Sequence, residues 1–324
     1  MALSDKYPKS LCIVGSTASG KSALALSAAQ KYGGEIISVD SMQVYRTMDI
    51  GTAKPTAAEM QAVKHHMIDV CDPHDSFSSA EYAEMALKCV EDISKRGKLP
   101  IFCGGTGLYL ESVMRGCAPH ETSADENVRR ELLEYAKENG NAALHKRLSE
   151  VDAQSAQAIH ENNVKRVARA LEVYLVSGKT KSEWDRESRE APSEIEPFCV
   201  CLAYHDRSVL YSRIDKRVDE MIAGGLVDET RRLYENGVFE KNSTAAGAIG
   251  YKELLGAIKG TVSLEEAAEM LKMATRRYAK RQITWFNAKP YVNFLYCDSE
   301  DGVMRPYDDI FAELCRMWEE YKNK

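Results

Sequence analysis

The sequence predicts an α/β fold: a parallel sheet core interrupted by an inserted helical domain. Three observations carry that prediction. Short apolar runs ending in glycine or a carboxylate alternate with helical patterns from Leu11 to Gly107. The glycine-bounded loop GSTASGKS, Gly15 to Ser22, lies between the first such run and the first helix. From about Cys117 to Pro197 the periodicity is helical throughout, and a strand pattern then returns. Strands alternating with helices imply a parallel sheet with ligands outside the strand C-terminal ends.

The elements follow in order. Leu11-Cys12-Ile13-Val14 is a buried parallel strand. From Lys21, residues Leu24, Ala25, Ala28, Ala29 and Tyr32 share one helical face, and Gly33-Gly34 ends the helix. Glu35 to Asp40 is a second strand and His66 to Val70 a short third. Ser79 to Arg96 is helical, and Leu99 to Cys103 is a strand running into Gly104-Gly105-Thr106-Gly107. In the insert, Ser123 and Glu126 suggest a capping box, with Val128, Leu132 and Tyr135 on one face and Gly140 past the end. Val164, Val167, Ala168, Leu171 and Leu175 mark a second insert helix, stopped by Gly178. Phe198 to Tyr204 resumes the sheet; Arg213 to Ala223, Leu226 to Glu235 and Leu264 to Phe286 are helices, and Tyr291 to Tyr296 is the last strand. The domains are therefore 1–116, the first part of the core; 117–197, the insert; and 198–324, the rest of the core with a basic C-terminal helix.

Composition narrows the function classes. The chain has 324 residues, 44% hydrophobic and 28% charged, the balance of a soluble globular protein. No run approaches the roughly 18 apolar residues of a membrane span, and no signal-peptide core precedes the first strand, so a cytoplasmic protein is expected. The nine cysteines form no CxxC pair and are expected to be reduced core thiols. His65 and His66, adjacent on a strand, would point to opposite faces and are assigned no metal. The net charge of −6 does not by itself predict a nucleic-acid partner, so the distribution of charge decides.

GSTASGKS fits the G-x-x-x-x-G-K-[ST] pattern of a P-loop NTPase-like core and stands between strand and helix as that motif requires. Gly15, Ser16, Thr17, Ala18, Ser19 and Gly20 offer backbone N–H groups to phosphate oxygens, and the helix N-terminus adds positive partial charge. Lys21 neutralises a phosphate, and the Ser22 hydroxyl is a candidate Mg²⁺ ligand. Such loops mark nucleotide sites, ATP sites among them, but no Asn-Lys-x-Asp guanine signature is present. Asp40, at the end of the second strand, has three readings: Mg²⁺ ligand, general base, or a carboxylate capping a nearby turn.

A more specific text follows. Asp40-Ser41-Met42-Gln43-Val44-Tyr45-Arg46 with Met48 to Pro55, then GGTGLY at Gly104–Tyr109, GYKE at Gly250–Glu253 and KRQITWF at Lys280–Phe286, resembles the bacterial tRNA dimethylallyltransferase (tRNA isopentenyltransferase) family over nearly the whole chain. The resemblance implies transfer of a dimethylallyl group from dimethylallyl diphosphate to N6 of the adenosine 3′ to the anticodon of tRNA. The loop would then hold the diphosphate that leaves. This chain has Ser16 where the family has proline and Ser22 where it has threonine; Ser22 keeps the hydroxyl.

The resemblance places Asp40 as general base toward the weakly nucleophilic adenine amino group. Thr106 matches a family position near the reacting base; otherwise it is a turn hydroxyl. Arg213 and Arg217, i,i+4 on one helical face, are the candidates to stabilise the leaving diphosphate, or else a solvated face. Asp40, Ser41, Met42 and Gln43, with Gly250 and Tyr251, match segments at the tRNA.

From Lys272 to Lys289 there are six basic residues and no acidic one. Arg277, Lys280, Arg281 and Thr284 share a helical face, with Tyr278 and Trp285 beside it. A basic face with aromatics suits phosphates and an unstacked base; Lys280, Arg281, Gln282 and Trp285 are the tRNA candidates there. Lys165, Arg166 and Arg169 on the insert match a further tRNA-contacting segment of the family; apart from the resemblance they read as the polar face of an ordinary amphipathic helix, with Glu161 and Glu172 close by. Mg²⁺ as cofactor, tRNA and dimethylallyl diphosphate as partners and a monomeric state are expected. The alternatives are a P-loop kinase acting on a small metabolite and a non-catalytic RNA-binding protein.

Overall fold

The computed structural model describes residues 8–115, 125–190 and 193–323. The described residues within Met1–Phe77, Met85–Glu111 and Ile195–Lys324 cluster as one compact unit, and those within Ser78–Glu84 and Ser112–Glu194 as a second. The insert expected at 117–197 thus differs from the compact helical unit, which starts earlier, at Ser112, and takes in the first turn of a core helix.

The first part of the chain runs β1 (Lys9–Gly15), α1 (Lys21–Tyr32), β2 (Glu35–Val39), α2 (Ala57–Ala62), β3 (His65–His66), α3 (Ser79–Lys95), β4 (Pro100–Gly104) and α4 (Gly107–Arg115). The helical unit adds α5 (Glu126–Asn139), α6 (Asn141–Val151), α7 (Ala153–Ala158), α8 (Val164–Ser177) and α9 (Lys181–Glu190). The chain returns as β5 (Glu196–Ala203), α10 (Arg207–Ala223), α11 (Leu226–Glu235), α12 (Val238–Lys241), α13 (Ser243–Ala246), α14 (Tyr251–Ile258), α15 (Leu264–Asn287), β6 (Val292–Tyr296) and α16 (Tyr307–Lys322).

The six strands form one parallel sheet in the order β3-β2-β4-β1-β5-β6. β2 and β4 are buried along their whole length and β1 at all but its first residue, which is why Leu11–Val14, Ile36-Ile37 and Ile101–Cys103 are apolar without alternation. One core cluster joins Leu11, Ile13 and Ile101 to Leu24, Ala25 and Ala28 of α1. α16 closes the same cluster with Trp318, 1% exposed, and Phe198 stacks on Tyr321 with ring centroids 4.6 Å apart. Burying one such side chain contributes roughly 1.5–3 kcal/mol. With β1, β2 and β4 parallel, the loop Gly15–Gly20, Asp40 and Gly105-Thr106 all emerge at the same edge of the sheet.

The helical unit has its own core of Leu132, Leu144, Leu148, Val167 and Leu171. Inside it Glu172 is fully buried, and its carboxylate accepts from the Asp125 N–H and from Arg129. Asp125 caps α5 by accepting from the N–H groups of Asn127 and Val128; Ser123, the expected cap, lies outside the described residues.

Three expectations are corrected by the structure. β3 is only His65–His66, not 66–70, because Met67 and Asp69 adopt left-handed φ of 62° and 57° and end the strand. α10 begins at Arg207 rather than 213, because the Asp206 carboxylate accepts the Ser208 N–H and starts the helix there. The basic helix is α15, and the C-terminal helix is α16, whose first turn carries Asp308 and Asp309.

Candidate functional site

The loop after β1 is a cradle fixed from outside. Gly20 ends it at φ 96°, a left-handed conformation that favours glycine, and Ala18 is held at φ 60°. The Ser16, Ala18 and Ser19 carbonyls accept from Lys21 Nζ at 3.1 Å, Arg213 Nε at 3.0 Å and the Tyr204 hydroxyl at 3.0 Å. The first N–H groups of α1 have no intrahelical acceptor, and the helix dipole favours an anion at this end. Ser16, Ala18 and Ser19 are buried, and the Ser19 N–H is already donated to the Ser16 carbonyl at 3.3 Å. Thr17 departs from expectation: its N–H is already donated to Gln282 Oε1 at 2.9 Å and is not free for phosphate.

Two cavities meet at this loop. The inner one, about 460 Å³, is lined by Thr17, Lys21, Ser22, Asp40, Ser41, Met42, Arg217, Tyr278 and Arg281 among others. The outer one, about 870 Å³, is lined by Ala18, Gly20, Lys21, Ser22, Arg213, Lys216 and Arg217. Lys21, Ser22 and Arg217 line both. Burial pushes the Lys21 ammonium down from its ordinary range, with the Arg217 charge acting in the same direction and Asp40 opposing. Burial likewise lowers Arg217, against the pull of Asp40. Cations held this way gain when an anion arrives, because the anion restores what desolvation removed.

Asp40 stands just beyond β2. Its Oδ1 accepts from the N–H of Met42 at 2.8 Å and, more weakly, of Gln43 at 3.4 Å, so the capping role is present. Among the described residues Oδ2 makes no hydrogen bond, and the residue lines the inner cavity. Capping and acceptance of a proton therefore occupy different oxygens. Thr106 Oγ1 accepts the Ser41 N–H at 3.1 Å, which fixes the same turn; the residue lines neither cavity. Burial raises the Tyr278 phenol to about 12, with Asp40 acting in the same direction.

Several expected RNA contacts are engaged within the chain itself. Tyr251 is fully buried, its hydroxyl donating to Glu229 at 2.7 Å. Gln43 lines the cavity, but its amide donates to the Thr52 and Ala53 carbonyls at 3.1 and 3.0 Å and accepts from Ser38 at 2.7 Å. Gln282 is buried, and its Nε2 donates to the Gly105 carbonyl at 2.9 Å. Each amide is thus engaged within the chain, the Gln43 oxygen by the Ser38 hydroxyl and the other three polar atoms by backbone. Arg169 pairs with the buried Glu172 at 2.9 Å. The Trp285 indole N–H is buried without a partner among the described residues, and the Lys289 ammonium lies 4.5 Å from the centre of its ring.

Other candidates remain accessible. Ser41, Met42 and Gly250 line the inner cavity with Arg281, Lys280 is exposed on α15, and Lys165 and Arg166 are exposed on α8. Arg213 and Arg217 both face the loop, the first through Ala18, the second through both cavities.

The sequence reading missed Tyr204, Glu229 and the apolar wall of Ile214, Val218, Met221 and Leu271. The wall had a signal: Leu210, Ile214, Val218 and Met221 repeat at helical spacing. Among the described residues no cluster of three or more His, Cys, Asp or Glu side chains forms a metal cage. The exposed Ser22 hydroxyl fits Mg²⁺ nonetheless, since that ion keeps few protein ligands and completes its shell from phosphate oxygens and water.

Fold and site together define a P-loop α/β protein whose phosphate cradle opens into a cavity holding a carboxylate. The chain belongs to the IPP transferase family, whose sequence model matches residues 43–289. It is 49% identical over 307 residues to the tRNA dimethylallyltransferase of Geobacillus thermodenitrificans, covering 94% of this chain and 96% of the relative. It is 46% identical over 309 residues to that of Halalkalibacterium halodurans, covering 94% and 98%. The crystal structure of the tRNA isopentenylpyrophosphate transferase from Bacillus halodurans is similar at a TM-score of 0.70 and 40% identity, covering 98% of this chain and 99% of that one. A eukaryotic dimethylallyltransferase captured acting on tRNA is similar at 0.76 and 32%, covering 89% and 74%.

Proposed function

We propose that this protein is a tRNA dimethylallyltransferase, moving the dimethylallyl group of dimethylallyl diphosphate to N6 of the adenosine 3′-adjacent to the anticodon and releasing diphosphate. The observation that carries this reading is that Asp40, Lys21 and Arg217 line one cavity. A phosphate site needs the two cations; a carboxylate with an unbonded oxygen beside them suits a second substrate that must lose a proton.

The target adenosine leaves its stack to enter the inner cavity, where Tyr278 offers an aromatic face. The N6 lone pair attacks the allylic carbon, the carbon–oxygen bond to diphosphate breaks, and the N6 proton passes to Asp40 Oδ2. The charge that builds on the leaving diphosphate meets Lys21, Arg213, Arg217 and the N-terminus of α1. Ile214, Val218 and Met221 take the isoprenoid chain and exclude water. The Ser22 hydroxyl would hold Mg²⁺, which would supply further charge neutralisation. Lys280 and Arg281 on α15, and Lys165 and Arg166 on α8, meet RNA phosphates. The enzyme works as a cytoplasmic monomer; no described helix is long and apolar enough to cross a membrane.

The test is mass spectrometry of an anticodon stem-loop RNA incubated with the protein, Mg²⁺ and dimethylallyl diphosphate. A dimethylallyl adduct on the adenosine next to the anticodon is expected. No adduct, together with ATP turnover on a small metabolite, would overturn the reading.

A further inference from the structure

Glu229 lies in the first turn of α11 and is 2% exposed. It lines neither cavity, so it does not touch what they hold. Its carboxylate nevertheless gathers an unusual set of donors. The backbone N–H groups of three successive residues, Asp49, Ile50 and Gly51, donate to it at 2.9–3.1 Å, and the Tyr251 hydroxyl donates at 2.7 Å. Only a residue without a Cβ fits at Gly51, where a Cβ would come within 2.5 Å of the Tyr251 ring. A carboxylate with four donors on two oxygens is a rigid anchor, because withdrawing it strands several buried donors at once.

What it anchors is the wall of the reaction cavity. Gly51, Thr52 and Ala53 line the inner cavity, and Asp49, Ile50, Ala53 and Lys54 line the outer one. The carbonyls of Thr52 and Ala53 in turn accept both bonds of the Gln43 amide nitrogen, while its oxygen accepts from Ser38. Gln43 closes the turn whose N–H groups hold Asp40 Oδ1. The chain of contacts runs Tyr251, Glu229, the 49–51 turn, the 52–53 carbonyls, Gln43, Asp40, with a hydrogen bond or a peptide link at each step.

We infer that Glu229 is a positioning residue for the transfer reaction: it holds the 49–53 turn against Gln43 and thereby sets where the Asp40 carboxylate stands. The inference rests on the function proposed above. Glu229→Gln is the informative change, because the carboxamide keeps the volume but replaces one acceptor oxygen with a donor facing backbone N–H groups.

The experiment measures single-turnover transfer at saturating dimethylallyl diphosphate and tRNA for four proteins: wild type, Glu229→Gln, Asp40→Ala and the double variant. Misplacing a base by an ångström costs on the order of 10²-fold, so Glu229→Gln is expected to slow transfer about 10- to 100-fold, with tRNA affinity changed less than about threefold. In the Asp40→Ala background the same change is expected to add less than about threefold, since residues acting as one unit do not add. A general loosening of the fold would slow both backgrounds equally, and that result overturns the inference, as does a wild-type rate in Glu229→Gln. Should Glu229→Gln fail to fold, Tyr251→Phe carries the same comparison: a fall of about three- to tenfold that vanishes without Asp40 supports the inference, and an equal fall in both backgrounds overturns it. A wild type that transfers nothing instead removes the functional reading and this inference with it, which separates the two failures.

Discussion

Gln282 Oε1 accepts the backbone N–H of Thr17 at 2.9 Å, joining the C-terminal part of α15 to the phosphate loop across 265 residues of sequence. The other end of the same amide holds the Gly105 carbonyl at 2.9 Å. Gln282 thus braces the cradle against the loop after β4. Gln282→Ala should raise KM for dimethylallyl diphosphate about tenfold while leaving tRNA affinity within about threefold, since the loss is of loop order and not of an RNA contact. Steady-state kinetics with separate tRNA-binding titrations check this. Lost tRNA affinity with unchanged donor KM would return Gln282 to the RNA-contact role that its place in KRQITWF suggests.

Arg213 and Arg217 divide the task of meeting the diphosphate. Arg213 spends its Nε on the Ala18 carbonyl, whereas Arg217 faces both cavities and is lowered by burial. Arg217→Ala should lower kcat by about 10²- to 10³-fold, the scale of losing one preorganised charge at a developing anion. Arg213→Ala should act more on donor KM, through the loop. Pre-steady-state kinetics on both variants separate the two effects.

The basic stretch from Lys272 to Lys289, on and just after α15, spends about half of its charge internally. Lys272 pairs with Asp219 and Glu269, Arg276 with Asp215, and Lys289 with Glu111. Arg277, Lys280 and Arg281 have no ion pair among the described residues. Arg281→Ala should weaken tRNA binding and reduce the slope of log affinity against log salt by about one, while Arg276→Ala leaves the slope unchanged. Binding isotherms over a salt series measure both.

Glu35 gives the fold a pH dependence distinct from the site. It begins β2, is 1% exposed and accepts from Arg96, from Lys98 at 2.8 Å and from His66 at 2.7 Å. Arg96 above all holds its carboxyl well below the usual carboxylate range. A depressed folded pKa contributes stability that is complete above the unfolded value of about 4.3 and is lost as pH falls toward the folded one. Glu35→Gln should cost about 1–3 kcal/mol at pH 7, and the gap from wild type should close as pH drops below about 4. Urea unfolding from pH 7 to pH 3 reads this directly; a gap that is constant with pH would contradict it.

What the sequence could disclose follows from how local each feature is. Gly15–Ser22 and Asp40 are legible because a strand, a turn and a helix start are written in adjacent residues. β3 is shorter in the structure than its sequence suggests because the left-handed turns at Met67 and Asp69 leave no mark on residue type. The run without acids on α15 suggested a free basic face, yet Asp215 and Asp219 reach it through space from α10. Tyr251 and Gln282 stand in motifs that match tRNA-contacting segments, and their contacts proved to be Glu229 and the loop backbone, fixed only when distant segments meet.

The central claim is that one carboxylate beside the phosphate cradle takes the N6 proton. Asp40→Asn keeps the shape and the Oδ1 acceptor but not the base. The decisive measurement is single-turnover dimethylallyl transfer by Asp40→Asn beside its affinity for tRNA. The account predicts transfer slowed about 10²-fold or more with tRNA still bound at near wild-type affinity. A variant that transfers at the wild-type rate would contradict it.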